Sequence, residues 1–275
     1  MNGILAIMQL TWIEARRRKI VLAAVLCGLG FLVIFGLAVY SNSERAISMP
    51  LVQRRMVLQV LTLVGLYAVN FLVIALSVLL AVDTLSGEID SGVIQTLASK
   101  PVRRSDIILG KWLVFWLMLA AYIIVLAGGI VAIMYGLTGF RQQNLLPVLG
   151  LMQLEATVLL SVTMAGGVRF STITNGIVAF SFYVLAFIGG LIEQIGMMVG
   201  NVTARYIGTA ISLVSPVDAI WRKAMAILQP PFMAQTQITP FSGGAEPSAA
   251  MLWWAVLVVV VAMTFSIRGF RKRAL

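Results

Sequence analysis

The sequence predicts an all-α integral membrane protein with six transmembrane helices, and its composition, apolar runs and charge placement support this. Hydrophobic residues make up 60% of the 275 positions and charged residues 11%. Soluble domains carry about 45–50% apolar and about 25% charged residues, so this chain requires lipid as its solvent. Because one span takes about 20 residues, residues 1–275 are predicted to form a single transmembrane domain with short loops.

A basic, amphipathic segment precedes the first span. In residues 1–19, Leu5, Met8, Trp12 and Ala15 recur at helical spacing, and a basic run follows them. This pattern predicts a short amphipathic helix that lies along the inner membrane interface. A plain basic flank that only fixes the orientation of the chain is the alternative.

Six apolar runs are long enough to cross the hydrocarbon core of a bilayer. They cover residues 20–40, 57–82, 113–137, 146–168, 176–200 and 251–267. Runs of this length are predicted to be helices, because an open sheet would leave backbone groups unpaired in lipid. The single cysteine, Cys27, is interpreted as a small hydrophobic residue of the first span.

The Lys and Arg residues beside the spans predict the orientation of the chain. With the N-terminus inside, thirteen of the 20 basic residues fall in cytoplasmic segments, as the positive-inside rule requires, although Arg54 and Arg55 lie against this bias. The prediction is a multi-pass protein of the cell inner (cytoplasmic) membrane with both termini cytoplasmic. Because the basic residues cluster beside apolar runs, the lipid bilayer is the expected partner and nucleic acid is not.

The cytoplasmic loop between the second and third spans, residues 83–112, is predicted to hold a short helix over 88–96. Residues at helical spacing define one face of it, namely Ile89, Val93, Thr96 and Leu97. Pro101 ends the helix because proline disfavours α geometry in the residue before it, and Ser105 is a predicted cap of the next helix. A partner that grips such a helix could tilt both flanking spans; an ordinary interfacial connector is the alternative.

This loop carries a recognisable motif. Its residues are Glu88, Gly92, Thr96-Leu97, Lys100-Pro101-Val102, Arg104 and Ile108-Leu109-Gly110-Lys111. The pattern resembles the first cytoplasmic loop of type-2 permeases of ATP-binding cassette (ABC) exporters. The specific match covers about thirty residues, and the hydropathy extends it loosely over the whole chain.

The resemblance implies a division of labour between subunits. It implies that 88–96 is a coupling helix that docks on a separate ABC ATPase subunit, and that a second permease half completes the transporter. The ATPase-coupling residues implied are Glu88, Ile89, Asp90, Gly92, Val93, Gln95 and Thr96. The loop-motif residues are Lys100, Pro101, Arg104, Gly110 and Lys111. Alternating access would follow from ATP-driven closure of the ATPase dimer.

Two acidic residues lie inside predicted spans, Glu155 in the fourth and Glu193 toward the outer part of the fifth. A charge at the centre of a membrane helix costs about 2.5–3.5 kcal/mol or more, so such residues face a cavity or a partner. Both are candidates for the translocation path or a proton site. The alternatives are a structural carboxylate bonded to Ser, Thr or Gln of a neighbouring span for Glu155, and interfacial exposure for Glu193. Asp83, at the end of the second span, is expected to be solvated.

The outer segment 201–250 is predicted to contain a helix before the sixth span. Ser215 is a suitable cap, Pro216 suits the first helical position, and Asp218 can reach back to the cap. An apolar face follows, so this helix is expected to lie on or dip into the outer leaflet. The polar loop 235–247 follows it, and its role is not predicted.

The sequence contains no histidine and no G-x-x-x-x-G-K-[ST] phosphate-binding loop, because Gly110-Lys111 lacks both the leading glycine and the hydroxyl residue. We therefore expect no catalytic residue, no metal site and no cofactor bound by this chain, with ATP and Mg used by the partner ATPase. An ion-coupled carrier that uses Glu155 and Glu193, or a non-transporting membrane scaffold, are the alternative functions. The transported substrate is not predicted.

Overall fold

A computed structural model describes residues 3–47, 49–84, 87, 103–229 and 247–272. These residues form nine helices, which we number along the chain. Their bounds are α1 Gly3–Arg17, α2 Lys19–Ile47, α3 Leu51–Val82, α4 Arg104–Thr138, α5 Leu145–Gly167, α6 Thr172–Met198, α7 Val202–Val214, α8 Val217–Leu228 and α9 Ala249–Lys272.

Six of these helices, α2 to α6 and α9, are long and apolar enough to cross a membrane, which confirms the predicted six spans. α4 begins at Arg104, ahead of the apolar run at 113–137, because the polar turns before the run are also helical. The predicted cap at Ser105 is wrong. Arg103 holds the N-cap position without a side-chain hydrogen bond, and the Ser105 hydroxyl donates to Asp106 at 3.3 Å instead.

α5 lies at the centre of the bundle and packs against α3, α4, α6, α8 and α9. Val158, Leu159 and Leu160 occupy consecutive positions and are all fully buried. Consecutive residues point in different directions around a helix, so protein surrounds α5 at this level, whereas Leu146 in its first turn is 82% exposed. This helix therefore places its polar residues inside the protein and not against lipid.

α2 is the least enclosed of the six spans, with 11% of its apolar window buried. The Tyr122 hydroxyl of α4 donates to the carbonyl oxygen of Ala24 at 2.9 Å. Further along, the ring of Phe35 packs against Gly65 of α3 so closely that a Cβ there would lie 2.8 Å from Cε2. Cys27 is exposed on the same helix. α2 thus holds to the bundle along one narrow side.

The N-terminal segment forms the helix α1, as predicted, and it packs on α4. Its buried side chains are Ile7, Thr11 and Ala15, spaced four apart. Of the predicted apolar face, Ala15 is buried against protein, whereas Leu5 and Trp12 are 53% and 42% exposed, as side chains that face lipid would be. α1 therefore has a protein-facing side and a separate apolar side, and its position at a membrane interface stays a prediction.

α6 and α7 form a tight helical hairpin that the sequence did not predict. Gly200, with φ +70°, turns the chain, and the Asn201 side chain caps α7 by accepting from Ala204 N at 3.1 Å. A Cβ on Gly208 would lie 2.7 Å from the carbonyl oxygen of Gly189, so small residues bring the two backbones together. At 1.5 Å per residue, the 13 residues of α7 extend about 20 Å, less than the thickness of a bilayer core.

The predicted outer helix is present as α8, but its surroundings differ from the expectation. α8 packs against α5 and α6, and most of its side chains are buried, so it lies within the bundle and not on its surface. The predicted Ser215 cap is also wrong. The Ser215 hydroxyl donates to the carbonyl oxygen of Phe182 at 3.0 Å, and the helix begins at Val217.

Candidate functional site

The predicted coupling helix at 88–96 lies outside the described residues, and so do Lys100 and Pro101 of the loop motif. Their structure stays a prediction. Beside this loop, the chain is described up to Thr84, at the single position Gly87 and from Arg103 onward. The structure therefore shows what each end of the loop is attached to.

The first end of the loop is bonded to α6. The Thr172 hydroxyl donates to Asp83 Oδ1 at 3.2 Å. The buried Asn175 amide donates to the carbonyl oxygens of Val82 at 3.2 Å and Thr163 at 3.0 Å, so it joins α3, α5 and α6. Asp83 is half-buried and hydrogen-bonded, and the expectation that it is simply solvated is wrong.

The second end of the loop is bonded to α9 through the loop-motif residue Arg104. Its Nη1 donates to the carbonyl oxygens of Phe270 at 3.3 Å and Arg271 at 3.4 Å, in the last turn of α9. A cation near the last carbonyls of a helix satisfies acceptors that have no partner within the helix and complements the helix dipole.

Two further loop-motif residues lie where α4 meets the N-terminal helix. A Cβ on Gly110 would lie 2.8 Å from Ile7 Cγ2 and 3.3 Å from the carbonyl oxygen of Ile4. The missing side chain at Gly110 is therefore what permits α1 to pack directly on α4. Lys111, the next residue, is 3% exposed. Part of the loop motif therefore lies where α4 packs on α1, outside the predicted coupling helix.

A polar cluster lies in the other half of the bundle, around Glu155. Glu155 is 1% exposed, and its Oε1 accepts from the Asn70 amide of α3 at 3.2 Å. Glu155 Oε2 and Asn70 Oδ1 are buried and have no hydrogen-bond partner among the described residues. The expectation of a neighbouring hydrogen-bond donor is correct, but the donor is Asn and not Ser, Thr or Gln.

The second part of the cluster is a three-residue charge group. Arg222 Nη2 donates to Glu193 Oε2 at 2.9 Å, which joins α8 to α6. Arg222 Nε also lies 2.9 Å from Asp218 Oδ2, an ion-pair contact without hydrogen-bond alignment. The side chain of Glu193 is 13% exposed, so the expected interfacial exposure is wrong. Burial raises the pKa of Asp218 to about 6, although Arg222 acts against the rise and Glu193 adds to it.

Both parts of the cluster border one enclosed cavity of about 50 Å³ between α3, α5, α6 and α8. Its lining consists of Tyr67, Asn70, Glu155, Tyr183, Phe187, Gly190, Leu191, Gln194, Asp218, Trp221 and Arg222. A buried water needs about 10–15 Å³ of such space and several polar partners, so the cavity has room for a few waters. It is too small for an organic substrate.

Sequence reasoning found Glu155 and Glu193 but missed Asn70, Asp218 and Arg222 as their neighbours. Asn70 is a strongly polar residue in the middle of an apolar span, and that signal pointed to a buried hydrogen bond. Asp218 and Arg222 stand four apart on a helix, a spacing that favours an ion pair. Their contact with Glu193 depends on the unpredicted burial of α8.

These features describe a multi-pass membrane protein with six candidate spans, a small polar cavity beside the central helix α5, and a loop whose ends are bonded to other spans. A family model described as ABC-2 family transporter protein matches residues 5–275. The chain therefore belongs to the ABC-2 transporter family, as the loop motif predicted. A comparison with curated proteins finds no match.

Family membership identifies the chain as the permease component of an ABC transporter. Members of this family are membrane subunits and are generally non-catalytic, and the family implies an ABC ATPase as a partner. The described residues include no group of three or more His, Cys, Asp or Glu residues that could hold a metal ion.

Proposed function

We propose that this chain is one permease half of an ABC exporter of the cell inner membrane, with both termini cytoplasmic. A separate ATPase that uses ATP and Mg docks on residues 88–96, and a second permease half completes the transporter. Substrate moves by alternating access as the ATPase dimer closes. The observation that carries the proposal is the attachment of both loop ends to spans other than the two that flank the loop.

The hydrogen bonds at the two loop ends explain how a displacement of the loop would reach other helices. The loop continues directly into α3 and α4, so these two spans follow its movement. The bond from Thr172 to Asp83 passes the movement to α6, and the bond from Arg104 to Phe270 passes it to α9. Contact between Gly110 and Ile7 adds α1. A small displacement at one loop thereby reaches most of the bundle, as a rigid-body mechanism requires.

Glu155 and Glu193 are proposed as polar residues of the bundle interior beside the translocation path. Their support is the cavity between α3, α5, α6 and α8, which Glu155 lines and which Glu193 approaches through Arg222. At about 50 Å³ the cavity admits no organic substrate in this conformation. A route for substrate therefore requires movement of α6 or α8, or a path shared with the second permease half.

The test is co-purification of the chain with a co-expressed ABC ATPase, followed by measurement of the ATPase rate in lipid vesicles. We expect the ATPase to be retained and its rate to change on binding. The variants Glu88→Ala and Gly92→Pro should insert normally but lose both effects. Arg141→Ala, which removes an exposed charge at the opposite end of α4, is the matched control.

Three outcomes would overturn the proposal. If Glu88→Ala and Gly92→Pro retain the ATPase at a normal rate, residues 88–96 are not the coupling element. If the chain alone moves solute under an ion gradient without ATP, the ion-coupled carrier is correct. No ATPase retained by any form of the chain would indicate a scaffold.

A further inference from the structure

The charges around the enclosed cavity do not balance. Glu155 and Asp218 line it, and Glu193 joins them through Arg222. Arg222 is the only cation among the described lining residues. Ionisation of all three acids would leave two uncompensated negative charges in a poorly solvated place, where each one is strongly unfavourable.

Arg222 already forms ion pairs with two of the three acids. It contacts Glu193 and Asp218, each at 2.9 Å. Glu155 has no such partner in the part of the chain that the structure describes. Its Oε1 accepts from a neutral amide, and its Oε2 is fully buried without a hydrogen bond. Of the three acids, Glu155 is therefore the one whose ionised form would lack a compensating positive charge.

We propose that this cavity is a proton-binding site, in which Glu155 carries the proton on Oε2 and Asn70 positions the carboxyl group. The proton comes from a hydronium ion of the solvent: one O–H bond of the hydronium breaks, the O–H bond of the carboxyl forms, and a water molecule is left. A protonated carboxyl removes the uncompensated charge and supplies a donor for the vacant acceptors of the site, of which Asn70 Oδ1 is one.

Other titratable groups face this site from three elements. They are Tyr67 on α3, Tyr183 and Glu193 on α6, and Asp218 and Arg222 on α8. α4 and α9 also pack on α5 but contribute no described residue to the lining. A solvated carboxyl is ionised at neutral pH, so movement of α8 away from α5 would hydrate Glu155 and release its proton.

The proposal can be tested by infrared spectroscopy of the full chain in lipid, without any ATPase. We expect a carbonyl band of a protonated carboxylic acid at neutral pH. Glu155→Gln, which matches the shape of the neutral acid, should remove that band, whereas the control Glu193→Gln should keep it. Asn70→Ala should keep the band and move it to higher frequency, because the carbonyl loses a hydrogen bond.

Two results would overturn the proton site. One is a wild-type spectrum without any band that Glu155→Gln removes, since Glu155 would then be ionised. The other is a rise in melting temperature with Na⁺ or K⁺ in the wild type but not in Glu155→Gln, since the cavity would then hold an alkali cation. Either result leaves the ATPase-coupled function untouched, because neither measurement involves the loop at 88–96.

Discussion

Arg104 and Phe270 lie 166 positions apart in the sequence, yet the guanidinium of the first donates to the carbonyl oxygen of the second at 3.3 Å. This bond joins the first residue of α4 to the last turn of α9. Arg104 therefore belongs to the loop motif by sequence and to the end of the sixth span by contact. Arg104 thus links the loop between α3 and α4 to the last carbonyl groups of α9.

We predict that Arg104→Ala weakens the response of the partner ATPase while the chain still inserts. The hydrogen bonds are long and partly exposed, so the loss of stability should be about 1.5 kcal/mol, the low end of the range for bonds to charged groups. The measurement is the ATPase rate in vesicles together with the melting temperature. Arg103→Ala removes the same charge one residue earlier and is the control. Equal effects of the two variants would contradict a specific role for Arg104.

Gly110→Ala should separate α1 from α4. The new methyl group would lie 2.8 Å from Ile7 Cγ2 and 3.3 Å from a backbone oxygen, and overpacking of this kind costs about 1–3 kcal/mol. Gly128 lies on the same helix, and a Cβ added there would meet nothing within 4 Å. Gly128→Ala should therefore stabilise the protein by up to about 1 kcal/mol, through helix propensity alone. Thermal unfolding and protease access to α1 measure both effects, and a loss of stability in both variants would refute the contact.

The stability of the protein should fall as the pH rises from about 4 to about 6, and Asp218 is the predicted cause. Its pKa in the folded chain is about 6, against an ordinary value of 3.8, mainly because it is buried. In this interval the folded form keeps a proton that the unfolded form has lost, so the free energy of unfolding decreases with pH. The loss is on the order of 3 kcal/mol and is complete above the folded pKa.

Asp218→Asn should reduce this pH dependence, because the amide does not titrate, and the proton proposed on Glu155 accounts for the slope that remains. The melting temperature in detergent, measured across the interval, is the readout. Gln194→Ala, which removes a neutral side chain from the same cavity, is the control and should leave the slope unchanged. An unchanged slope in Asp218→Asn would assign the titration to another group.

Gly208→Ala should loosen the hairpin of α6 and α7. Its Cβ would lie 2.7 Å from both the Gly189 carbonyl oxygen and the Glu193 amide nitrogen. Backbone atoms cannot move aside as a flexible side chain can, so we expect a loss of about 1–3 kcal/mol. Gly150→Ala, at a helical position with nothing within 4 Å, is the control for thermal unfolding. An unchanged melting temperature for Gly208→Ala would show that the hairpin tolerates separation.

The spans and the helices α1 and α8 could be predicted because each depends on a local pattern. A bilayer sets a minimum length of apolar run, and an amphipathic helix shows its period within a few turns. The hairpin of α6 and α7 could not be predicted in this way. The apolar run was ended at residue 200, where Gly200 does turn the chain, but the return of α7 along α6 depends on the close approach of Gly208 to Gly189, which no local pattern specifies.

The residues of the candidate site could likewise be predicted only where a local pattern marked them. Glu155 was identifiable because a carboxylate within an apolar run is energetically unfavourable unless it faces a cavity or a partner. Glu193 was misjudged because its partner, Arg222, lies on a helix that was expected at the surface. Contacts between distant segments follow from packing, and Asn70 and Glu155 are 85 residues apart. The contacts at the ends of the loop 83–112 could not be predicted for the same reason, since nothing near Arg104 in the sequence indicates that it bonds to Phe270.

α2 contacts the rest of the bundle along one narrow side and has the smallest buried share of the six spans. Its contacts with the bundle run through Ala24, Leu32 and Phe35, and lipid solvates the remaining apolar surface as well as protein would. Displacement of α2 would therefore break fewer contacts than displacement of α5. Cys27, the single cysteine of the sequence, lies on α2 and is exposed. A lipid-soluble fluorophore or spin label on this thiol would report any displacement of α2 in the otherwise unmodified protein.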